Sequence, residues 1–307
     1  MFNNAAVVPH TLAALAIQAY PPHWHLKLIL SDDGSTENSR TQLETDAFPW
    51  PVQTMPAAHA GAAAARNRAL AAADSDLIFF LGADIILRPG ALALHLNFHT
   101  AHPAANDAAL GMVRWDPRCH PSPLMEWMTH GGPQNNFDAL LAQTHAPAEH
   151  YFYASHLSLK RSQFKSAHFA TDFEFYGWED LELGRRLAGE LKLHVLHRAI
   201  GLHHHTYPPA AIYRRQRLIG QGLTTYQRRH PTASLIPPRG RWHRIKCAAV
   251  HYLGILALGR GLAAYTALRW STPRLFTHLA AAEFWLGVYR ARTYPHKVKG
   301  YPHNFPQ

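Results

Sequence analysis

Apolar runs and segments of helical spacing alternate along the N-terminal part of the chain. The clearest run spans Leu77 to Leu87, between Asp76 and the turn-forming sequence Arg88-Pro89-Gly90. A run that opens in this way is typical of a strand buried on both faces. Asp84 lies where the strand should end, and ligands of open α/β sheets bind beyond the carboxyl ends of strands. Asp84 therefore lies where a metal ion or a phosphate would sit, or else it is a loop carboxylate that caps the next turn.

The same patterning predicts the order of the first elements. In chain order it predicts a helix over 5–19, a strand over 26–30, a helix ending near 43, an extended segment near 52, a helix over 62–73, the strand from 77 and a helix ending near 99. This alternation predicts an α/β fold with a mostly parallel sheet flanked by helices.

The second half of the chain is less regular, and 103–147 is rich in Pro, Asn and His. The pattern predicts strands over 110–115, 151–159 and 193–196, a helix over 181–188 and a basic helical stretch over 208–230. Pro237-Pro238-Arg239-Gly240 is predicted to be a linker, and two or three apolar helices with arginines are predicted over 242–292. We therefore expect one domain over 1–235 and a basic, aromatic-rich helical tail over 236–307.

Composition narrows the class of protein. The 307 residues are 47% hydrophobic and 16% charged, which is enough apolar material for a large core. The formal net charge of +10 favours a polyanionic partner, such as nucleic acid, anionic lipid or a phosphorylated substrate. Cys119 and Cys247 form neither a disulfide framework nor a zinc pattern, which fits a reducing compartment.

The chain lacks the sequence features of a secreted or membrane-spanning protein. Residues 1–22 have no basic start, apolar middle and small-residue cleavage site. The longest apolar candidate, 247–268, is interrupted by His251, Arg260 and two glycines. We therefore expect a soluble or peripheral protein of the cytoplasm.

Acidic and imidazole side chains recur at the ends of separate predicted elements: Asp32 with Asp33, Asp84, Glu179 with Asp180, and His203-His204-His205. Magnesium and manganese take carboxylate oxygens, and manganese also accepts an imidazole. Strand alternation places His203 and His205 on one face, which makes them better ligands than His204. The alternative is a surface loop that is rich in histidine because the chain has 24 histidines.

A predicted helix start at Gly61 suits a diphosphate. Gly61 precedes the alanine-rich helix that carries Arg66 and Asn67. Free backbone N–H groups at a helix start and the donor fork of an arginine both bind phosphate oxygens.

Four segments follow one another in a characteristic order. They are Ser31-Asp32-Asp33-Gly34-Ser35-Thr36, the stretch from His59-Ala60-Gly61 to Ala65-Arg66-Asn67, Leu81-Gly82-Ala83-Asp84, and the stretch GWEDLELGRR from Gly177 to Arg186. This order resembles glycosyltransferase family 2, the nucleotide-sugar-dependent enzymes of the GT-A fold. The segments are similar to its DDGS turn, its G-xxx-ARN segment, its metal-binding D-x-D motif and the WED segment of its galactosyltransferase-like branch. The resemblance covers roughly Met1 to Thr206.

The resemblance implies how a donor would be bound. The favoured donor is a UDP-sugar. The residues that would hold its base, ribose and diphosphate are Asp32, Asp33, Gly34, Ser35, Gly61, Arg66 and Asn67. Asp84 with His203 or His205 would hold Mn²⁺ or Mg²⁺ against the diphosphate, where the ion neutralises charge that grows as the sugar–phosphate bond breaks.

The resemblance also implies catalytic roles. Asp180 would be the general base that deprotonates the acceptor hydroxyl, in an in-line attack that inverts the anomeric configuration. Glu179 would help to orient the acceptor, a glycan or lipid-linked hydroxyl of bacterial cell-envelope polysaccharide synthesis, and Trp178 would stack on a sugar. Alternatively, the acidic pair only caps the helix from Leu181, and Trp178 only packs.

Two positions depart from the family pattern. Gly82 replaces the first acid of the D-x-D motif, which leaves Asp84 alone and bears on the affinity or identity of the metal. The N-terminal buried strand of the family is missing, and Met1-Phe2-Asn3-Asn4 looks like its tail. Either the true start lies upstream, which we favour, or the sheet lacks a central strand and exposes edges and core.

Other functions remain open at this point. A catalytically inactive GT-A-like binding protein is suggested by Gly82 and the missing strand. Nucleic-acid binding is suggested by charge alone, without a recognised readout module, and we do not expect it. The arginines among Trp242, Tyr252, Tyr265, Trp270, Phe284, Trp285 and Tyr289 fit helices lying on an anionic membrane at its inner face, or else a packed helical appendage.

Overall fold

The computed structural model describes residues 1–36, 48–130, 136–165, 167–173, 177–233 and 273–293. The chain divides into two compact units. The first unit comprises 1–121, 129–171 and 179–206, and the second comprises 122–128, 172–178 and 207–307. The predicted boundary at 235/236, the linker at 237–240 and the helix ending near 43 lie outside the described residues.

The elements follow the predicted alternation closely in the N-terminal part. In chain order they are α1 (Val8–Ala16), β1 (Leu28–Asp32), β2 (Val52–Pro56), α2 (Ala62–Ala72), β3 (Leu77–Leu81), β4 (Ile85–Leu87), α3 (Ala91–Ala101), β5 (Asp107–Trp115), α4 (Pro123–Thr129), β6 (His145–Ala146), α5 (Ala148–Tyr151), β7 (His156–Lys160), α6 (Glu179–Leu187), β8 (Lys192–His203), α7 (Pro209–Arg229) and α8 (Pro273–Thr293).

The first unit is a mixed α/β structure, as predicted. Its larger sheet has the order β3-β7-β5-β8-β4, and β6 pairs with β8. The ladder between β5 and β8 is parallel and runs from Asp107 to Trp115. The pairs β3–β7, β5–β7, β4–β8 and β6–β8 are antiparallel, which the sequence pattern did not anticipate. Strands β1 and β2 form a separate parallel pair.

Strand β3 is less buried than its apolar sequence predicts. Of its five residues only Phe80 is fully buried, and the others are half-buried. Among the described strands β3 pairs with β7 alone, so one edge of β3 carries no neighbouring strand. A strand is fully buried when layers pack on both of its faces and strands pair with both of its edges. A local apolar run provides neither by itself.

The N-terminal residues lie against the edge of β1 that faces away from β2. The α-amine of Met1 donates to the carbonyl oxygen of Ser31 at 2.6 Å, and the N–H of Asp33 donates to the carbonyl oxygen of Met1 at 2.9 Å. On the other edge, the carbonyl of Asp32 accepts from Ala57. This pair of bonds has the pattern of a parallel bridge between Met1 and β1.

Several element boundaries differ from the prediction; the strand expected over 193–196, for example, extends over Lys192–His203. The strand expected over 151–159 begins only at His156, because Ala148–Tyr151 forms a short helix after Pro147. The helix expected from Leu181 begins at Glu179, so Glu179 and Asp180 lie in its first turn, where the helix dipole favours negative charge.

Three buried histidines lie between α3 and the sheet. His95 Nδ1 is 2.7 Å and His99 Nε2 is 2.9 Å from Ser158 Oγ on β7. His156, also on β7, fills a notch made by glycine: a Cβ on Gly111 of β5 would lie 2.2 Å from its ring. All three rings are withdrawn from solvent, with exposures of 1%, 2% and 0%.

The second unit contains a closely packed pair of helices, α7 and α8. A Cβ on Gly220 would lie 1.9 Å from the carbonyl oxygen of Phe284, and one on Gly287 would lie 2.0 Å from that of Arg217. Arg217 Nε donates to the buried carboxylate of Glu283 at 2.7 Å. Within the described helices, none combines the length and apolarity that crossing a membrane requires. Of the aromatic residues of the predicted tail, Phe284 and Trp285 have described side chains, with ring centres 5.6 Å apart, and the others lie outside the described side chains.

Candidate active site

The turn after β1 is held by the carboxylate of Asp33. Asp33 Oδ1 accepts from the N–H of Ala60 at 3.1 Å and from Arg68 Nη2 at 3.0 Å. Asp33 Oδ2 accepts from the N–H of Gly61 at 2.8 Å and lies 2.9 Å from His59 Nδ1. The backbone N–H of Gly61, expected to be free for a diphosphate, is therefore bound within the protein. Asp33 ties the start of α2 to the end of β1.

The other residues of this turn are also fixed locally. Asp32 Oδ1 accepts from the Ser35 hydroxyl at 2.6 Å, and Ser35 Oγ accepts from the N–H of Asn3 at 3.0 Å. Gly34 has φ +80, and a Cβ there would lie 2.6 Å from the backbone nitrogen of His59. Only glycine adopts this conformation and leaves room for the neighbouring backbone.

Asp84 lies in the turn between β3 and β4 and meets the end of β8. Asp84 Oδ2 is 3.1 Å from His203 Nε2. The ring of His203 stacks on Trp115 at 4.8 Å and lies 5.9 Å from the ring of His205. Burial alone would raise the pKa of the Asp84 carboxyl, but the charge and hydrogen bond of His203, together with His205, hold that pKa below its usual range.

His204 has a different partner, as strand alternation predicts. Its Nδ1 lies 2.8 Å from Oδ2 of the buried Asp116, which Arg118 also binds. Of the three neighbouring histidines, His203 and His205 are therefore the two on the side of Asp84.

Gly82 occupies a crowded position. A Cβ there would lie 2.8 Å from Ile85 Cγ1 and 3.0 Å from Asp84 Oδ1. A carboxylate at 82, which the family pattern would place there, would press against the side chain of Asp84. Asp84 is therefore the single carboxylate of this turn.

The predicted metal ligands are brought together, but they are not a closed cage. The described part of the chain contains no cluster of three or more His, Cys, Asp or Glu side chains arranged to hold a metal ion. A carboxylate beside an imidazole suits Mn²⁺ in its donor chemistry. Divalent ions that act on phosphates use one or two protein carboxylates and complete their coordination with phosphate oxygens and water. Asp84 and His203 fit an ion bound in that way.

Glu179 and Asp180 stand side by side at the start of α6, and Arg66 separates their environments. Arg66 Nη1 donates to Glu179 Oε1 at 2.8 Å. Asp180 Oδ1 accepts from the N–H of Leu181 at 2.9 Å, and Asp180 also accepts from the backbone of Ala154. Burial and the neighbouring charge of Glu179 raise the pKa of Asp180 to about 6, against the opposing charge of Arg66.

Arg66 and Asn67, which the resemblance predicts to bind the donor, both have partners within the protein. The Arg66 guanidinium is bonded to Glu179, and its Cζ lies 5.3 Å from the centre of the Phe169 ring. Asn67 binds the backbone of Phe169 twice, with Nδ2 to its carbonyl oxygen at 2.8 Å and Oδ1 to its N–H at 3.0 Å.

Several of the predicted site residues of the first unit lie around the α-amine of Met1. Burial lowers the pKa of the Met1 α-amine, and charges from several elements act on that same amine, namely those of Asp32, Asp33, Arg66 and Asp84. Arg66 reaches α6 through Glu179. The loop before β7 links the start of α6 to the turn after β3. Its residue Ala154 donates to Asp180, and the carbonyl of Ser155 accepts from the N–H of Gly82 at 2.9 Å.

Trp178 is packed inside the second unit, which does not fit its predicted stacking on an acceptor sugar. Its indole Nε1 donates to the carbonyl oxygen of Ile219 at 2.7 Å, and its ring lies 5.1 Å from that of Tyr226. The residue is 9% exposed, so its faces are covered by protein.

Two aromatic residues of the site were not predicted. Trp115 ends β5 and stacks on His203, and its position at the carboxyl end of a strand was an available signal. Tyr153 lies beside Asp180: burial and the Asp180 charge both raise the pKa of its hydroxyl. No pattern around Tyr153 distinguishes it from a core tyrosine.

The fold is of the GT-A type, and comparison with known proteins agrees. Residues 1–151 match the family model described as glycosyl transferase family 2. Validoxylamine A glucosyltransferase of Streptomyces hygroscopicus subsp. limoneus is 28% identical over 211 residues, which are 61% of this chain and 46% of that protein. The chain thus spans less than half the length of this curated relative. Residues 1–151 are thus similar to glycosyl transferase family 2, a family of transferase enzymes.

Solved structures share the fold. S. aureus TarS 1-349 in complex with UDP has a TM-score of 0.54 at 17% identity, covering 99% of this chain and 92% of that one. Mannosyltransferase PcManGT of Pyrobaculum calidifontis, in complex with GDP-Man and Mn²⁺, has a TM-score of 0.56 at 19% identity, covering 97% of this chain and 80% of that one. At these identities the likeness concerns the fold.

Proposed function

We propose that this chain is an inverting glycosyltransferase that moves a sugar from a nucleotide-sugar donor to an acceptor hydroxyl. The observation that carries the proposal is the carboxylate of Asp180, whose pKa is raised to about 6. Its backbone donor, Ala154, is followed by Ser155, whose carbonyl accepts from Gly82 in the turn that contains Asp84. A base with such a pKa is mostly ionised at neutral pH and still takes up a proton readily.

The transfer reaction assigns the proton to Asp180. The acceptor oxygen attacks the anomeric carbon from the side opposite the phosphate, and Asp180 takes its proton as the new bond forms. The bond from the anomeric carbon to the phosphate oxygen breaks, and the nucleoside diphosphate leaves with the bonding electrons. Attack from the opposite side inverts the anomeric configuration. The WED segment that contains Asp180 supports assignment to the galactosyltransferase-like branch.

The donor is bound at the turn after β1. Asp32 and the backbone from Gly34 to Ser35 receive the base and ribose, while Asp33 and Gly61 keep this turn in shape through their mutual hydrogen bond. The UDP complexes of TarS and the GDP-Man complex of PcManGT support a nucleotide-sugar donor, with a UDP-sugar favoured. A divalent ion, Mn²⁺ or Mg²⁺, bound by Asp84 with His203 or His205 would neutralise charge on the leaving diphosphate.

The acceptor and the location belong to the same proposal. The acceptor is a glycan or lipid-linked hydroxyl in bacterial cell-envelope polysaccharide synthesis, with Glu179 near its binding position. The formal charge of +10 supports a cytoplasmic protein that lies on the inner, anionic face of the plasma membrane.

Replacement of the base tests the proposed function. Asp180→Asn keeps the shape of the side chain but removes its ability to accept a proton, so we expect sugar transfer to fall by roughly 10²- to 10⁴-fold. Donor affinity, measured by titration with UDP-sugars and Mn²⁺, should stay within about twofold, since the base acts on the acceptor. The matched control is Asp74→Asn, an exposed surface carboxylate that should leave transfer unchanged.

The rival function is nucleotide-sugar binding without catalysis, which the crowding at Gly82 favours because it leaves only one carboxylate in the metal turn. Wild-type protein that binds a UDP-sugar but transfers nothing to any acceptor in a panel, nor to water, would support that function. Sugar transfer by Asp180→Asn at the wild-type rate would show that Asp180 is not the general base.

A further inference from the structure

We propose that Arg66 is a positioning residue: by neutralising Glu179 it leaves the adjacent Asp180 as the ionised proton acceptor of the site. This inference rests on the proposed glycosyl transfer. It gives Arg66 a task in preparing the base, in place of a direct contact with the donor.

The contacts of Arg66 fix its guanidinium between two elements. Arg66 lies on α2, one residue before Asn67, whose side-chain amide holds the backbone of Phe169 at 2.8 and 3.0 Å. The Phe169 ring then lies under the guanidinium, 5.3 Å from Cζ. The opposite end of the guanidinium meets Glu179 at 2.8 Å. An arginine supported on a ring and bonded to a carboxylate has little freedom to turn toward another anion.

The charge arrangement at the start of α6 needs such a partner. Glu179 is 7% exposed, and an ionised carboxylate so withdrawn from water is stable only when it is paired. Asp180 is its neighbour in sequence, so two negative charges would stand together in the first turn. The helix dipole favours both, but their mutual repulsion raises the affinity of one of them for a proton.

The groups around Asp180 show why the pKa of this carboxylate is raised. Glu179 on its own helix and burial favour protonation of Asp180, whereas Arg66 on α2 opposes it. Tyr153, in the segment that follows α5, contributes a neutral hydroxyl. Burial raises the pKa of that hydroxyl most, followed by the charge of Asp180 and then by Tyr151. The hydrogen bonds from Leu181 and Ala154 favour the ionised form. Arg66 is thus the cation that balances the pair.

The direction of each substitution follows from these charges. Without Arg66, Glu179 and Asp180 repel each other uncompensated, and the pKa of Asp180 rises. Without Glu179, the repulsion disappears and the pKa of Asp180 falls. In the double variant the two changes oppose each other, so the pKa returns toward the wild-type value. A residue that acted on the donor would show no such compensation.

The experiment compares kcat against pH, from about 5 to about 9, for wild type, Arg66→Gln, Glu179→Gln and the double variant. In wild type the acid limb should lie near pH 6, the pKa of Asp180. In Arg66→Gln it should move up by about one unit, so that kcat at pH 6 falls roughly fivefold and recovers in alkali. In Glu179→Gln it should move down, and the double variant should lie between the single variants. The donor Kd should stay within about twofold in all four.

Two measurements separate this inference from its alternatives. Arg185→Gln removes the same charge from the last turn of α6 and should leave the acid limb in place. A tenfold rise in the donor Kd of Arg66→Gln with an unmoved acid limb would overturn the inference and make Arg66 a donor ligand.

The inference can also be tested when no turnover is observed. The Asp180 carboxyl carbon can be titrated by NMR in labelled protein without any substrate. A higher Asp180 pKa in Arg66→Gln than in wild type supports the inference even if the protein transfers no sugar. Equal pKa values in the two proteins would overturn it, whatever the activity.

Discussion

At the residue scale, Asp33 and Asp84 show that two carboxylates in motif positions can have different surroundings. Asp33 has four partners from its own chain, three donors and a histidine ring, so both of its oxygens are occupied. Asp84 has one imidazole partner and a half-buried side chain. Asp33 therefore maintains the shape of the turn, whereas the Asp84 carboxylate is held mainly by His203.

Gly34 gives a prediction at the same scale. Gly34→Ala places a Cβ 2.6 Å from the His59 nitrogen at φ +80, so we expect a loss of roughly 1–3 kcal/mol in the free energy of unfolding. Urea unfolding monitored by circular dichroism measures it. Gly189→Ala is the matched control, since nothing lies near its Cβ, and it should change stability by less than about 0.5 kcal/mol. Equal effects of the two substitutions would contradict the close approach.

At the element scale, helix α3 and strand β7 are joined through imidazole rings in place of aliphatic side chains. Ser158 lies between His95 and His99, and its hydroxyl can donate to one ring nitrogen while accepting from the other. This arrangement requires neutral rings. Burial lowers the pKa of His156 to about 4, and that of His95 well below its ordinary value.

The buried rings predict a loss of stability in acid. The pKa of His156 is about 4 in the folded chain and near 6.5 in the unfolded chain. Between these two pH values the unfolded chain binds a proton at His156 and the folded chain does not. Stability should therefore fall as pH drops from about 6.5 to about 4, by roughly 3 kcal/mol for this residue. Urea unfolding at several pH values should give a shallower slope for His156→Gln than for wild type. The exposed His150→Gln should keep the wild-type slope, and identical slopes for all three proteins would refute the prediction.

At the scale of the whole molecule, the excess of positive charge predicts attachment to an anionic surface. We expect the chain to float with vesicles containing anionic phospholipid at low salt and to be released at about 1 M salt, where the Debye length is about 3 Å. Neutral vesicles should not bind it.

Charge reversal locates the binding surface. Arg241→Glu with Arg244→Glu, in the predicted tail, should reduce flotation, whereas Arg161→Glu with Lys165→Glu, on the first unit, should not. The opposite result would assign the membrane surface to the first unit. Flotation of neither the wild type nor any variant would exclude the membrane proposal.

Local sequence signals predicted most elements of the first unit because their causes are short-range. The helix over 62–73 and the strand from 77 agree with α2 and β3 within a residue, since apolar spacing and adjacent turn residues determine both. The burial of β3 was not predictable in this way, because it depends on strands elsewhere in the chain. The short helix before β7 was missed because it is a single turn of four residues, too short to show helical apolar spacing.

The sequence by itself determined most of the strands and helices and which residues carry charge at their ends. Which of these charges meet was decided by the tertiary structure alone. Asp84 and His203 are 119 positions apart, and Arg66 and Glu179 are 113 positions apart. The pairing of distant strands and helices brings them within hydrogen-bond distance. Periodicity reports on neighbours three or four residues away, and it contains no information about such partners.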